Sequence, residues 1–545
     1  MRRASSRGLG VARFAAAYLF ALGSATCGAR SSLDVPPPLP PQPECLTHED
    51  CPGHDDPCLP VRCVDSAKYE DLLPELPAGV PLPPRVCFVV EPVSCDDEDV
   101  CTVDACDATT GACVHEAATL DLDEDGFRAP LPGTTAGEPG ACGDDCNDAS
   151  ALSFPGNPEA CDGVDNDCNG IVDDGAEFIP LGSEPLRVSG PIAPAGPGGL
   201  GFDGDTYLAI YSGSSDGFDM YETRIDASGQ KLAPIETKIA LQNADSAGGP
   251  IVWVGDRYGL TWQDRRDSDY EIYFTLLTGE GTKALADLRL TTSFGFSINP
   301  DLAWNGAEFV AAWQDERTGQ FEIVAQRIAL DGAMVGENVV LAPSTGLANE
   351  APNIAAGKTT LGLAYVNGAG GKQAVQFRSF DRATLEVRSP LVLASPTSLE
   401  AVAPTVVWNE DRYVISWYER SGQSRAIFAT SLDEDGNVLA PTTQLTEPAS
   451  ARSRYPALMP LGDRLLLVWS DDRDQNTGYE LYSRMIGADL APLSSEMRIT
   501  NAPFDSLYPT PAFGPEGQVG VLFRDDRASG EHHVYFTQLG CVTGG

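Results

Sequence analysis

The C-terminal two-thirds of the sequence repeats one short pattern seven times, an apolar run that ends in an aromatic residue. Runs such as "YGLTWQD" and "FVAAWQD" show it. The aromatic residue of each copy is Tyr211, Trp262, Trp313, Tyr365, Trp417, Trp469 and Phe523. Successive copies are 51, 51, 52, 52, 52 and 54 residues apart, with further short β-prone runs between them. Four short strands repeated at this interval predict an all-β fold whose main domain is a seven-bladed β-propeller.

The two ends of the repeat region predict how the propeller ring closes. The last copy stops after "HVYFTQL", one strand short of the other copies. The missing strand stands ahead of the first copy, in "EPLRVSG" (Glu184–Gly190). A blade built from both ends of the domain removes exposed strand edges, so we expect the two ends to share the seventh blade. That arrangement also brings Cys541 near the start of the propeller.

In five copies an acidic residue follows the aromatic residue by two positions, and an arginine accompanies it. The pairs are Asp264/Arg266, Asp315/Arg317, Asp471/Arg473 and Asp525/Arg527, and the fifth copy has Glu419 and Arg420. A ring of ligand-binding charges is one interpretation. Because a feature shared by most repeats is usually architectural, we favour ion pairs within blades. The repeats are broadly similar to sialidase-type propeller repeats but lack the S-x-D-x-G-x-x-W box, and no catalytic motif leads from a strand into a helix.

The fifteen cysteines are unevenly distributed along the chain. Thirteen lie between Cys45 and Cys168, Cys27 precedes them, and Cys541 follows a long cysteine-free stretch. A dense cluster beside a cysteine-free domain predicts small modules held by disulfides, and therefore an oxidising compartment. No C-x2-C pair occurs in the sequence, which argues against a structural zinc site.

Two cysteine-rich stretches resemble each other. "CPGHDDPCLPVRCVD" (Cys51–Asp65) and "CDDEDVCTVDACDATTGACVHE" (Cys95–Glu116) share a D-x-C-x4-C step, which indicates an internal duplication. The second stretch resembles the CTxDxCD cysteine repeat of slime-mould and bacterial surface proteins, and this resemblance implies an extracellular scaffold. Four cysteines in each module leave Cys45 and Cys541 over. Either these two bond to each other, or one of them enters a module.

The segment between Asp121 and Gly175 has fourteen acidic residues and one basic residue, Arg128. In "DLDEDG" and "DNDCNG", oxygen-bearing side chains stand at positions 1, 3 and 5, and glycine stands at position 6. This spacing can wrap side chains and the carbonyl of position 7 around Ca²⁺. The candidate ligands are Asp121, Asp123, Asp125 and the Phe127 carbonyl in the first loop, and Asp165, Asp167, Asn169, the Ile171 carbonyl and Asp173 in the second.

Neither loop is an EF-hand, because position 12 is Pro132 in the first and Ala176 in the second. The missing ligands must come from elsewhere in the segment. We expect Asp145 and Asp148, with Asp144, Asp162 and Asp174 as alternatives. Disulfides among Cys142, Cys146, Cys161 and Cys168 would hold these pieces together, since the segment has few apolar residues. The opposing interpretation is that the aspartates only form turns.

The same segment closely resembles the MopE-type metal-binding repeat of exported bacterial proteins. The elements D-C-[ND]-D and C-D-G-x-D-N-D-C-[DN]-G carry the resemblance, in "DDCND" and "CDGVDNDCNG". The resemblance implies metal binding and brings copper into consideration. Copper sites use imidazole or sulfur donors, whereas the segment has no histidine, methionine or tryptophan. We therefore expect Ca²⁺ rather than copper.

The N-terminus has the features of an export signal. Four arginines precede the apolar run "FAAAYLFALGSA" (Phe14–Ala25), which is too short to span a bilayer permanently. The following "SATCG" resembles a bacterial lipoprotein signal, which implies lipidation of Cys27. Cleavage after Ala29 is the alternative. The next stretch has six prolines in "SSLDVPPPLPPQPE" and predicts a stiff linker.

These features predict five segments: a signal peptide with a lipobox (1–27), a linker (28–44), two cysteine-rich modules (45–117), the MopE-type segment (118–178) and the propeller (179–541). A net charge of −43 disfavours nucleic acid as a partner. We expect an exported binding or scaffold protein at the outer membrane, cell surface or outside the cell, without catalytic activity. Its partner would be a protein or a glycan, and only a lipid would attach it to the membrane. The alternatives are a glycan-active hydrolase and a metal-capture protein.

Overall fold

The structure is a computed structural model, and it describes residues 45–543 with internal gaps. The gaps are residues 54, 60, 69–82, 90–92, 160–163, 172–175, 192–193, 215–216, 235, 241–244, 370–371, 396–399, 423, 447–451, 475–477 and 528–529. The predicted signal peptide with Cys27 and the linker therefore lie outside the described residues. So do Cys161, Asp162, Asp173 and Asp174. No helix of the described part is long and apolar enough to cross a membrane.

The chain forms two compact units, Met1–Ala118 and Thr119–Gly545. The described residues of the first unit form two β-hairpins and two short 3-10 helices (His48–Asp50 and Ser66–Lys68). Its strands are β1 (Val61–Asp65), β2 (Arg85–Val89), β3 (Thr102–Cys106) and β4 (Cys113–Ala117), paired β1 with β2 and β3 with β4. The acidic segment, predicted as a separate stretch, belongs to the second unit together with the propeller.

Among its described residues, disulfides rather than an apolar core hold the first unit together. Its buried cluster consists of half-cystines, Cys45, Cys51 and Cys63. The bonds are Cys45–Cys63, Cys51–Cys87, Cys58–Cys106 and Cys95–Cys113. Cross-links of this kind stabilise a small unit mainly by restricting its unfolded chain, and such a density of disulfides is typical of secreted and extracellular proteins.

The observed pairing corrects one expectation and decides another. Cys45 bonds to Cys63, so it is not the partner of Cys541, which is itself disulfide-bonded. Of the two alternatives, the entry of Cys45 into a module is the one observed. The Cys58–Cys106 bond joins the two copies of the duplicated stretch, which are therefore not independent four-cysteine modules.

The propeller has seven antiparallel sheets, numbered here as blades 1 to 7. Blades 1 to 3 consist of β7 (Ala195–Phe202), β8 (Thr206–Ser214), β9 (Phe218–Asp226) and β10 (Thr237–Lys238); β11 (Ala247–Trp253), β12 (Arg257–Asp267), β13 (Asp269–Thr278) and β14 (Leu288–Arg289); and β15 (Ser297–Trp304), β16 (Glu308–Asp315), β17 (Glu322–Ala329) and β18 (Met334–Ala342). Blades 4 to 6 consist of β19 (Ala348–Ala356), β20 (Thr360–Ala369), β21 (Lys372–Asp381) and β22 (Val392–Leu393); β23 (Glu400–Asn409), β24 (Arg412–Ser421), β25 (Ser424–Leu432) and β26 (Val438–Gln444); and β27 (Arg454–Leu461), β28 (Arg464–Asp471), β29 (Glu480–Ile486) and β30 (Met497–Arg498).

Blade 7 closes the ring with strands from both ends of the domain. It contains β31 (Ser506–Phe513), β32 (Val519–Asp525) and β33 (His533–Thr543), joined by β5 (Ala176–Pro180) and β6 (Leu186–Arg187). A 3-10 turn, Pro515–Gly517, connects β31 to β32. The first strands of adjacent blades contact each other all round, and β31 contacts β7. The predicted closure by the "EPLRVSG" stretch is confirmed in β6, which pairs with β33.

The sequence did not predict β5. This strand pairs along β33, with Phe178 opposite Cys541, so the propeller begins at Ala176 rather than at residue 179. Phe178 is 5% exposed and packs among the apolar residues of blades 6 and 7. The strand follows the acidic segment directly, and the segment is therefore joined to the ring by a regular hydrogen-bonded strand.

The repeated aromatic residues lie on the second strand of each blade and form the core. All seven are at most 5% exposed. Most stack on an aromatic residue of the third strand, as Trp262 does on Tyr273 and Trp469 on Tyr482. Each large ring removes about 150–250 Å² of surface from water, which explains why the repeat is visible in the sequence.

Four of the five acid–arginine pairs lie inside blades, as the architectural interpretation predicted. The fifth does not form, because Glu419 accepts from the Trp417 indole N–H while Arg420 pairs with Glu400. Asp471 is the acceptor for the Trp469 indole N–H at 2.9 Å, the Ser453 hydroxyl at 2.8 Å and the Arg473 guanidinium at 2.8 Å. The corresponding carboxylates Asp264, Asp315 and Asp525 are also paired with arginine and fully buried. Burial raises the pKa of the Asp471 carboxyl, but hydrogen bonds from Arg473 and Trp469 more than offset this, and the net pKa is lowered.

A buried carboxylate links two first strands. Asp301 on β15 accepts hydrogen bonds from the Ile354 N–H at 2.7 Å and the Asn353 side-chain amide at 2.8 Å, both on β19. Asn353 in turn accepts from the Val406 N–H of β23 at 2.6 Å. These bonds connect blades 3, 4 and 5 near the axis of the ring. Burial raises the pKa of Asp301 to about 7.

We expect Asp301→Asn to stabilise the protein at alkaline pH but not at acidic pH. Between pH 3.8 and about 7 the folded chain binds this proton more tightly than the unfolded chain, so stability falls as pH rises through that window. The variant keeps an oxygen acceptor and carries no charge. Its free energy of unfolding should exceed that of the wild type by roughly 2–4 kcal/mol at pH 8 and match it near pH 4.

Denaturant unfolding at both pH values would test this, with Asp331→Asn, on an exposed turn, as the control. The same difference at both pH values would contradict the assignment.

Candidate metal centre

The first acidic loop is folded by its own aspartates. Asp121 accepts hydrogen bonds from the Glu124 and Gly126 N–H groups at 2.7 and 3.1 Å. Asp123 accepts from the Asp125 N–H at 3.3 Å, and Asp125 accepts from the Phe127 N–H at 2.8 Å. Gly126 has φ +101°, a conformation that glycine adopts without steric cost. The loop thus turns sharply and brings its carboxylates to one side.

A second piece of chain adds two more carboxylates. The Asp145 N–H donates to the Arg128 carbonyl at 3.1 Å, and Asp148 accepts from the Leu122 N–H at 2.9 Å. Gly143 makes this approach possible, because a Cβ there would lie 2.1 Å from the Arg128 carbonyl oxygen. The predicted additional ligands Asp145 and Asp148 are therefore placed beside the first loop.

Five carboxylates converge in this cluster, which we call the Asp cluster: Asp121, Asp123, Asp125, Asp145 and Asp148. One oxygen each from Asp121, Asp123 and Asp148 lies within 4.8 Å of the others, and the same holds for Asp123, Asp125 and Asp145. A cation that contacts several of these oxygens at about 2.3–2.6 Å fits such spacing.

Three oxygens of the Asp cluster have no hydrogen-bond donor among the described residues. The Oδ2 atoms of Asp123, Asp125 and Asp145 are buried and unpaired, and the Asp145 side chain is fully buried. Burial raises the pKa of Asp145, and the charges of Asp125, Asp123 and Asp148 raise it further. Buried carboxylate oxygens without donors are costly. Turn formation accounts for the other oxygens of these residues but not for these three.

The second loop repeats the hydrogen bonds of the first. Asp165 accepts from the Gly170 N–H at 2.8 Å, Asp167 from the Asn169 N–H at 3.1 Å, and Asn169 from the Ile171 N–H at 2.8 Å. These three bonds join the same positions in both loops, although the second bond to Asp121 comes from the Glu124 N–H and that to Asp165 from the Asn169 N–H. The predicted spacing therefore corresponds to a similar local fold used twice. Asp173, the further predicted ligand here, is outside the part of the chain that is described.

A disulfide ties the second loop to the chain around Asp145. Cys146 bonds to Cys168, with their Cα atoms 5.5 Å apart, and Cys142 is also disulfide-bonded. The rings of Phe127 and Phe154 stack with centroids 5.1 Å apart. Cross-linking and this aromatic contact hold together a segment with few other apolar groups.

Glu159 is a buried acid that the sequence interpretation did not select. It is 5% exposed, and its Oε1 accepts from the Asn166 and Asp167 N–H groups, both at 2.9 Å. Burial raises its pKa, as do the charges of Asp167 and Asp165. Burial lowers the pKa of Arg464 on blade 6, and the charge of Glu159 opposes that shift. Glu159 thus holds the second loop by two backbone hydrogen bonds and lies close enough to the propeller for its charge to act on Arg464.

We expect Gly143→Ala to weaken cation binding at the Asp cluster at least tenfold. The added Cβ would also lie 2.2 Å from the Ala129 carbonyl oxygen, so Asp145 must move away from the first loop. Calcium titration by calorimetry measures the effect. Gly182→Ala, where the nearest atom is 3.8 Å from the new Cβ, is the control. Equal affinity in both variants would contradict the placement of Asp145.

Two protein-family models match parts of this chain. Residues 145–174 match the Cu-binding MopE family, described as "Putative metal-binding motif". The chain carries a MopE metal-binding motif. Residues 94–117 match the Dictyostelium (slime mold) repeat, in line with the resemblance of the second cysteine-rich stretch. Among curated proteins none matches this chain.

Solved structures are similar in fold only. A puromycin-hydrolysing peptidase of Mycobacterium tuberculosis is 14% identical, with a TM-score of 0.42 over 63% of this chain and 52% of that one. A protein of unknown function from Dyadobacter fermentans is 12% identical, with a TM-score of 0.40 over 67% and 99%. An endo-arabinase of Bacteroides thetaiotaomicron is 11% identical, with a TM-score of 0.31 over 44% and 92%.

The MopE motif covers only part of the Asp cluster. The matched residues 145–174 include Asp145, Asp148 and the second loop, whereas Asp121, Asp123 and Asp125 precede them. Three of the five clustered carboxylates therefore lie outside the match. The first loop was found through its D-x-D-x-D-G spacing, and the structure brings it together with the matched residues.

Proposed function

We propose that the Asp cluster binds a structural Ca²⁺ ion in an exported, lipid-anchored binding or scaffold protein of the cell surface. The observation that carries this proposal is the set of three buried, donor-free Oδ2 atoms of Asp123, Asp125 and Asp145. A cation beside these oxygens would neutralise their charge, whereas the described part of the chain provides no hydrogen-bond donor to them. In this proposal the propeller presents the binding face, and no catalytic step is assigned.

The donors favour calcium over copper. Every candidate ligand in the Asp cluster is a carboxylate, and the Phe127 carbonyl stands at position 7 of the loop. Hard oxygen donors in a site of five carboxylates suit Ca²⁺, which takes six to eight oxygens. Copper prefers imidazole or thiolate. The cysteines beside the cluster, Cys146 and Cys168, are joined as a disulfide and offer no thiolate.

Export and anchoring are supported by the sequence and by the disulfides. The described cysteines are all disulfide-bonded, which fits an oxidising compartment. Cys27 follows an apolar run of signal-peptide length, and its lipidation would fix the protein to a membrane. Mass spectrometry of the N-terminal peptide tests this part, since an unmodified chain that begins after Ala29 would contradict the anchor.

Calcium titration by calorimetry tests the metal proposal. We expect the EGTA-stripped full chain to bind Ca²⁺ with a Kd of about 10⁻⁶–10⁻³ M, the range from sensors to extracellular modules. The double variant D123A/D145A should bind at least tenfold more weakly. The control is Glu124→Gln, because Glu124 lies in the same loop and its side chain is exposed. Unchanged binding in the double variant would refute the site.

A further inference from the structure

One end of the propeller ring holds a cavity of about 600 Å³. Residues of blades 1, 5, 6 and 7 line it, among them Pro197, Ala403, Tyr455, Tyr508, Arg524 and His532. A volume of this size accommodates a small organic ligand. The cavity lies within the second unit and far along the chain from the Asp cluster.

A repeated backbone feature forms part of the cavity wall, where blades 5 to 7 contribute Ala403, Tyr455 and Tyr508. In blades 3 to 7 the first strand has a β-bulge, and the residue before a proline there has positive φ. These residues are Asn299, Ala351, Ala403, Tyr455 and Tyr508, with φ between 49° and 59°. Small or amide residues occupy three of the positions. A bulky tyrosine in this conformation is uncommon, and such outliers concentrate at functional sites.

The two tyrosines stand next to each other. The rings of Tyr455 and Tyr508 have centroids 4.2 Å apart, and Tyr418 meets Tyr455 edge-on at 5.7 Å. Tyr508 is 39% exposed. Adjacent blades thus present a pair of aromatic rings to the cavity. The bulge itself does not require tyrosine, because Ala403 occupies the same position in blade 5.

Two arginines flank this aromatic pair. The Arg454 guanidinium lies 5.1 Å from the Tyr455 ring centre and 3.5 Å from that of Tyr479. The Arg524 guanidinium lies 5.3 Å from the Tyr508 ring centre. The Nε atoms of both are buried, and neither has a hydrogen-bond acceptor in the part of the chain that the structure describes. A guanidinium stacked on a ring keeps its N–H donors in its own plane, where they can bind a carboxylate with two hydrogen bonds.

These arginines differ from the arginines of the repeated pairs. Arg266, Arg317, Arg473 and Arg527 each bind a buried aspartate. The Arg524 Nε lies 3.7 Å from Asp526 Oδ1. The same oxygen is hydrogen-bonded to His532 Nδ1 at 2.7 Å. Within the described part of the chain Arg454 has no ion-pair partner. In a protein with a net charge of −43, one arginine that lines the cavity with only a long ion pair, and a second beside it with none, indicate an anionic ligand.

We propose that this cavity binds a carboxylate-bearing sugar residue of the uronate class. Arg524, which lines the cavity, would bind the carboxylate, and Arg454 against the Tyr455 ring would add positive charge. The rings of Tyr455 and Tyr508 would pack on the apolar face of the sugar. The rigid proline-lined bulges would hold the site in shape before binding, which lowers the cost of association. This inference specifies the ligand of the binding face in the proposed function and rests on that role. It does not depend on calcium.

The test uses the full chain in calcium, with sodium D-glucuronate and its neutral counterpart D-glucose as probes. Saturation-transfer NMR and calorimetry measure binding. We expect glucuronate to bind at least tenfold more tightly than glucose. Arg524→Gln should weaken glucuronate binding at least tenfold, and Tyr508→Ala should weaken both sugars. The control is Arg412→Gln, because Arg412 lies on β24 and pairs with exposed Asp411.

Several results would overturn the assignment. Equal binding of glucose and glucuronate, or unchanged binding in Arg524→Gln, would remove the arginine site. No binding of glucuronate to a wild-type protein that binds calcium and unfolds cooperatively would refute the ligand class while leaving the metal proposal intact. Triglycine carries a terminal carboxylate but no sugar ring. If triglycine binds as tightly as glucuronate, the cavity recognises peptide chain termini rather than sugars.

Discussion

Removal of calcium should free the backbone at the exposed Arg128 for cleavage by trypsin while the propeller stays folded. Arg128 is the one basic residue between Asp121 and Gly175, so trypsin can cut this segment only there. Its carbonyl accepts the Asp145 N–H, a bond that depends on the Asp cluster being closed. We expect EGTA to raise the rate of cleavage after Arg128 at least tenfold, read by mass spectrometry of the fragments.

The size of this effect follows from linkage and charge repulsion. A ligand that binds only the folded segment stabilises it by about 2.7 kcal/mol when its free concentration is 100 times its Kd. Without a cation, the like charges of Asp123, Asp125 and Asp145 repel in a buried setting. D123A/D145A should be cut rapidly with or without EGTA. If EGTA leaves the rate of cleavage after Arg128 unchanged in the wild type, calcium does not hold this segment in its folded form.

Asp471→Ala should be among the most destabilising single changes in the propeller. The substitution leaves the Arg473 guanidinium, the Trp469 indole N–H and the Ser453 hydroxyl without their shared acceptor. Loss of one partner of a buried ion pair typically costs about 3–5 kcal/mol. We expect a loss of that size in denaturant unfolding followed by tryptophan fluorescence, with calcium present throughout.

Blade 4 provides the matched control for this prediction. It has Asn367 and Ala369 where blade 6 has Asp471 and Arg473, and the Asn367 amide donates to Asn349 at 2.7 Å. The double variant D471N/R473A copies that solution, and the largely buried side chain of Glu496, which loses Arg473, keeps Arg484 at 3.3 Å. It should lose less stability than Asp471→Ala, although it removes more interactions. A loss below about 1 kcal/mol for Asp471→Ala would show that the pair contributes no more than a surface ion pair.

The propeller could be predicted because its information is local and repeated. Each copy carries a large buried ring at nearly the same spacing, and each acid–arginine pair lies two to four residues from that ring. β5 (Ala176–Pro180) was missed because it occurs once and follows an acidic loop without any repeat partner. The disulfide Cys58–Cys106 was equally out of reach, since spacing alone does not choose among cysteine partners.

The metal centre was predictable in its ligand types but not in its assembly. The 1-3-5 spacing indicated Asp121, Asp123 and Asp125, and the structure shows the turn that this spacing forms. The approach of Asp145 depends on the missing Cβ of Gly143, which no periodic pattern marks. Glu159 was overlooked because its partners are backbone N–H groups. Tyr455 and Tyr508 were overlooked because the residue at their position differs from blade to blade, so it does not stand out in a repeat defined by the buried aromatic residue.

The central claim is most directly tested by X-ray diffraction from crystals grown with calcium, recorded at a long wavelength where calcium scatters anomalously. We expect an anomalous peak about 2.3–2.6 Å from the Oδ2 atoms of Asp123, Asp125 and Asp145. The absence of a peak at the Asp cluster would contradict the proposed calcium site. In that case these three oxygens should face water or protein hydrogen-bond donors instead.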